Sequence, residues 1–84
     1  MYDCLITFRS VMPAQRAEGV LQANRISCSV HRTPKWMESQ GCGYCLRLAS
    51  ARMPQAAAIL EENGIRYRKT YRQTGKGQLE EMHL

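Results

Sequence analysis

Cys42-Gly43-Tyr44-Cys45 is the one short motif in this sequence with a chemical reading of its own. Two thiols separated by two residues can close a disulfide, share a metal, or let one sulfur attack while the other resolves. Redox pairs of the thioredoxin kind stand at a helix N-terminus, where the dipole lowers the attacking thiol's pKa. Here the motif runs into a strand pattern instead, with Tyr44, Leu46 and Leu48 alternating against Cys45, Arg47 and Ala49. If Tyr44 and Leu46 face the core, Cys45 points to the opposite side while Cys42 sits at the loop end, a poor geometry for an unstrained bridge. A dithiol redox protein, with Cys45 as the resolving thiol, is kept as an alternative. A structural zinc site needs four ligands and this pair supplies two. His31 could add a third, but Cys4 and Cys28 fall on strand positions where cysteine is usually a small buried hydrophobe, so no metal and no cofactor is expected.

The remaining chemical option makes Cys42 a lone nucleophile. Gly41 and Gly43 remove Cβ bulk on either side, which lets another protein's active site approach the sulfur. Lys35 in the same stretch, with Arg32, His31 and Arg47 on the flanking strands, would lower the thiol's pKa and hold a thiolate or an anionic adduct. Such a thiol suits carriage of sulfur or selenium as a persulfide-type adduct. The plainer reading is an incidental loop cysteine in a glycine turn. No Ser/His/Asp set, carboxylate pair or phosphate-cradling glycine loop points to a hydrolase or a nucleotide enzyme, so a carrier rather than an enzyme is expected.

The elements that must position this loop can be read from periodicity. Tyr2 to Phe8 is apolar, β-branched and aromatic, as a central strand should be. Ser10 offers an N-cap, and Ala14, Ala17, Val20 and Leu21 repeat at helical spacing until Asn24. From Ile26 the period becomes two, with Ile26, Cys28 and Val30 on one face, ending at Thr33-Pro34. Pro34 to Gly43 is aperiodic and reads as a loop, whose Trp36 and Met37 cap the core or offer an apolar contact to a partner. After the third strand, Ser50 or Arg52 precedes a helix burying Met53, Ala56, Ala57 and Leu60, and Asn63-Gly64 closes it. A fourth strand spans Ile65 to Arg72.

The order β-α-β-β-α-β predicts an α+β fold, a ferredoxin-like antiparallel sheet with both helices on one face. Right-handed crossovers place the first and third strands in the centre. The other sheet face is left without a cover, so an exposed apolar face there would favour a homodimer. Residues 1–74 are expected to form a single carrier domain and residues 75–84, including His83, a flexible C-terminal tail, frayed or weakly helical.

Eighty-four residues leave room for one small core and no large internal cavity. Chemistry should therefore sit on a loop, an edge or an interface. The longest apolar run, Ala56 to Leu60, is far short of a membrane span, and Asp3 stands where a secretory signal would be basic, so a cytoplasmic protein with reduced thiols is expected. The net charge of +5 invites an anionic partner, and Arg66, Arg68, Lys69 and Arg72 interleaved with Tyr67 and Tyr71 suit RNA. Against a small RNA-binding module, the third strand retains only Gly43 and Tyr44 of the set that an RNA-recognition strand carries, so nucleic acid is not the expected partner.

Several short motifs occur in an order that resembles the selenium/sulfur carrier-like family of small bacterial proteins. They are Leu5-Ile6-Thr7-Phe8-Arg9-Ser10, Ala17-Glu18 with Leu21, Thr33-Pro34-Lys35, Cys42-Gly43 before Leu46-Arg47, and Leu60-Glu61-Glu62-Asn63-Gly64-Ile65. The resemblance implies that Cys42 is the functional thiol and that Pro34, Lys35 and Arg47 frame its pocket. It implies as partners a cysteine desulfurase-like donor and a sulfur- or selenium-accepting enzyme. Cys45 departs from the family pattern, which has a small apolar residue at that position.

Overall fold

A computed structural model of the chain describes residues 3–33, 43–73 and 79–82. Tyr2, the stretch Pro34 to Cys42 with Lys35, Trp36, Met37 and Gly41, and His83 lie outside the described residues.

The elements follow in the order β1 (Cys4–Phe8), α1 (Val11–Ala23), β2 (Cys28–Arg32), β3 (Tyr44–Leu48), a 3-10 turn (Ser50–Arg52), α2 (Met53–Glu62), β4 (Thr70–Gln73) and β5 (Leu79–Met82). They build one antiparallel sheet in the order β2-β3-β1-β4-β5. The first four strands reproduce the expected ferredoxin-like arrangement, with β3 and β1 inside. Alternation sends Cys4, Ile6, Phe8, Cys28, Leu46 and Leu48 to the helix side, where they bury Leu21 of α1 and Met53 and Leu60 of α2. Ala14, Ala17 and Ala56 are fully buried. Their small side chains let both helices lie close to the sheet.

Both helices end alike. The Gly64 N–H reaches Glu61 O at 3.1 Å and the Ile65 N–H reaches Leu60 O at 2.9 Å, with Gly64 at φ 67°. At the end of α1, Arg25 and Ile26 make the same pair of bonds to Gln22 O (3.0 Å) and Leu21 O (2.9 Å), with Arg25 at φ 62°. A side chain with Cβ thus occupies the left-handed position for which glycine is suited. The turn consumes Arg25 and Ile26, so β2 begins two residues later than the periodicity predicts, and Ile26 seals the core instead.

The fourth strand also starts later than expected, because a bulge interrupts it. Thr7 faces two residues: the Arg68 N–H donates to Thr7 O and the Thr7 N–H donates to Lys69 O, both at 2.8 Å. The Lys69 N–H is taken by Thr7 Oγ1 at 3.0 Å, and that hydroxyl donates to Lys69 O at 3.2 Å. A threonine in an apolar strand is accounted for by this exchange.

The segment read as a tail contributes β5, whose charges complement those of its neighbour. Glu80 stands opposite Arg72 and Glu81 opposite Tyr71, and Lys69 Nζ lies 3.3 Å from Glu81 Oε1. Opposite charges across a ladder favour pairing.

At the other edge, β2 has backbone groups that no strand takes. Helix α1 takes two of them: Glu18 Oε2 accepts the Val30 N–H at 3.0 Å, and Gln22 Nε2 donates to Cys28 O at 3.3 Å. These side chains satisfy the edge and block strand addition there.

Two outcomes are expected in denaturant unfolding. Arg25→Gly should stabilise the protein by about 1 kcal/mol by relieving the left-handed side chain, and an unchanged or lower midpoint would contradict this. Glu18→Ala leaves the Val30 N–H without its acceptor and should cost about 1 to 2 kcal/mol.

Candidate functional site

The loop that contains Cys42 leaves the sheet at a fixed point. The Thr33 N–H donates to Gly43 O at 3.1 Å, continuing the pairing of Arg32 with Tyr44 beyond the end of the two strands. Gly43 lies beside the end of β1, since a Cβ built on it would meet Arg9 O at 3.9 Å. That is ordinary contact and the position carries no positive φ. Gly43 is therefore not required by strain or crowding, and its absent Cβ narrows nothing in the fold. Cys42 directly precedes this anchor in the sequence.

Cys45 lies on the face away from the helices, as the alternation of β3 predicts. Its register partners are Thr7 on β1 and His31 on β2. Although that face carries no helix, Cys45 is only 2% exposed, and Leu5 and Thr7 beside it are also buried. Burial pushes the Cys45 thiol above its ordinary value, outweighing the opposing influence of Arg47 and of a contact with the Thr33 hydroxyl. Thr33 is itself 3% exposed, and its Oγ1 has no nitrogen or oxygen partner among the described residues. Burial and a raised thiol disfavour Cys45 as an attacking nucleophile.

Cys4 and Cys28 are buried on the helix side, as expected of small core residues. Burial raises the Cys4 thiol, and it raises Cys28 to about 11, with the Glu18 carboxylate adding to the effect. The Cys28 thiol donates to Glu18 O at 3.8 Å. Among the described residues no group of three His, Cys, Asp or Glu side chains is placed to hold a metal.

The expected framing cations are only partly brought together. His31 is exposed on β2, one residue before the Arg32–Tyr44 pair, with its Nε2 2.8 Å from Ser29 Oγ. Arg47 is exposed on the helix-free face, opposite Leu5 and Ser29. It lies four residues, about 13 Å, along β3 from Gly43, so β3 carries it away from the loop end. Lys35 lies outside the described residues.

Other cations converge at this end of the sheet. Arg9, Arg16, Arg66 and Arg68 line one cleft with Ser10, Pro13 and Tyr67. Arg9 belongs both to that cleft and to the contact behind Gly43. The basic run that holds Arg66 and Arg68 was legible in the sequence, and the tertiary fold adds Arg9 and Arg16 to it.

Two further expectations concern the helix-free face. An RNA-recognition sheet stacks bases on aromatics of its central strands. Here β1 and β3 present Leu5, Thr7, Cys45 and Arg47, while Tyr44 turns to the helix side and packs on the core. The basic β4 is moreover paired with the acidic β5. Among the residues whose exposure is described, the one exposed large hydrophobic is Met12, 66% exposed on α1.

No helix among the described residues is long and apolar enough to cross a membrane. No curated protein and no solved structure matches the chain. A family model does match, over residues 3–72, and it is described as "Putative Se/S carrier protein-like". The match spans every described element except β5 and Gln73, the last residue of β4, and its range includes Cys42. This chain belongs to the Se/S carrier protein-like family.

Proposed function

We propose that the chain is a carrier that holds sulfur or selenium on Cys42 as a persulfide-type adduct and passes it from one enzyme to another. The observation that carries the reading is the partition of the cysteines within the family match. Cys4, Cys28 and Cys45 are buried with raised thiol pKa values, and Cys42, within the matched range, falls in the stretch between β2 and β3 that lies outside the described residues.

Loading begins when the Cys42 thiolate attacks the terminal sulfur of a donor's persulfide. A bond forms from Cys42 Sγ to that sulfur, the donor's sulfur–sulfur bond breaks, and the donor cysteine departs as a thiolate with the electron pair. Delivery repeats the exchange: a nucleophile of the acceptor attacks the terminal sulfur and the Cys42 thiolate leaves. No external oxidant or reductant is consumed in either step. Selenium follows the same course with a terminal selenium atom. A cysteine desulfurase supplies a donor of this kind, and the reducing cytoplasm keeps the receiving thiol free.

The dithiol alternative would need Cys45, buried as the second residue of β3, to reach Cys42.

Intact-mass measurement after incubation with a cysteine desulfurase and cysteine tests the reading. Wild type and Cys45→Ala should each gain one sulfur, removable by reductant, and Cys42→Ser should gain none. Equal loading of Cys42→Ser would refute the carrier role, and loss of loading in Cys45→Ala would point to the dithiol.

A further inference from the structure

We propose that the outer edge of β4 is a docking surface for an extended acidic segment of a partner protein, with β5 as its intramolecular occupant. The two sides of the sheet are treated differently. At β2, Glu18 accepts the Val30 N–H and Gln22 donates to Cys28 O, so side chains of α1 occupy backbone groups that an added strand would need. At β4 the outward side is given to a strand, and β5 takes it in antiparallel register from Thr70 opposite Met82 to Gln73 opposite Leu79. The family match reaches residue 72, so it includes β4 up to Arg72 and none of β5. The edge lies within the family pattern, and its cover lies beyond it.

The strand now in place indicates what the edge selects. Glu80 stands opposite Arg72, and Glu81 Oε1 lies 3.3 Å from Lys69 Nζ. Successive strand residues point to opposite faces, so each of two adjacent carboxylates has a cation for its own face. A docking segment of the same chemistry has neighbouring acidic residues in extended backbone. Ladder hydrogen bonds supply its affinity and the charges its selection. Attachment of β5 is light: it has four residues and one hydrogen-bonded neighbour. Its ion pair has side chains 47% and 39% exposed, where solvent screening leaves little strength. An edge held this way opens without global unfolding. Only residues 74–78 separate the two strands, so β5 competes at an effective concentration on the order of millimolar. A partner therefore reaches the edge when other contacts tether its segment nearby. The edge lies across β1 from β2 and β3, and docking requires nothing of Cys42.

Two measurements on the full chain provide the test. In native-state hydrogen exchange of the wild type, the hydrogen-bonded amides of β5 should exchange about tenfold or more faster than those of β1 and β3, and equal protection overturns the proposal. The second measurement is an amide chemical-shift titration at constant ionic strength with the peptide Gly-Gln-Leu-Glu-Glu-Met-His-Leu, the sequence of residues 77–84. Glu80→Pro combined with Glu81→Pro, at two exposed positions, takes β5 out of the ladder. The variant should bind the peptide saturably, with shifts centred on residues 70–73 and about tenfold or more tighter than the wild type. Excess peptide on the wild type should shift the same residues and speed exchange at residues 79–82. A peptide with lysine in place of both glutamates should bind about tenfold or more weakly. The proposal is overturned if excess peptide leaves residues 70–73 of the wild type unshifted, if the folded variant binds no more tightly, or if the lysine peptide binds equally well.

Discussion

The register that locks β3 between β1 and β2 is the constraint on which the rest of the molecule depends. Tyr44 is fixed opposite Phe8 on one side and Arg32 on the other, and from there the two-residue period assigns every side chain of the strand to a face. Leu46 and Leu48 go to the helices, and Cys45 goes to the opposite face between Thr7 and His31. A slip by one residue would exchange them, exposing two leucines and driving Arg47 into the core. The same register ends at the Thr33–Gly43 hydrogen bond, so the point where the Cys42 loop leaves the sheet is set by the packing of the whole strand.

The sheet has its edges at β2 and β5, and side chains from α1 manage the first. At β2, Glu18 and Gln22 occupy backbone groups that a foreign strand would need. At the other end, β5 covers β4 and brings glutamates to a strand that otherwise concentrates positive charge. Arg9, Arg16, Arg66 and Arg68 converge on the cleft beside α1.

Local pattern made much of this legible. The buried face of each helix and the inward positions of β1 and β3 follow from spacing, and so does the opposite orientation of Cys45 and Leu46. What spacing could not show depends on partners distant in sequence. The tail reads as Gly-Lys-Gly-Gln followed by mixed charge, and Leu79–Met82 becomes a strand only because β4 presents a complementary edge. The late start of β4 depends on Thr7, more than sixty residues earlier, whose hydroxyl serves the bulge. Ile26 reads as the first residue of a strand, but an arginine in a left-handed turn before it is not announced by its residue type. At the site, the glycines and cysteines drew attention to the loop, while tertiary structure alone adds Arg9 and Arg16 to the basic run.

The central claim is a division of labour among four cysteines, three of them structural and Cys42 chemical. Timed alkylation of the native protein with iodoacetamide, mapped by peptide mass, measures this division directly. The account predicts rapid labelling of Cys42 near neutral pH, with Cys4, Cys28 and Cys45 labelled only after denaturant is added. Native labelling of Cys45 as fast as that of Cys42, or a Cys42 that reacts no faster than the buried three, would contradict it.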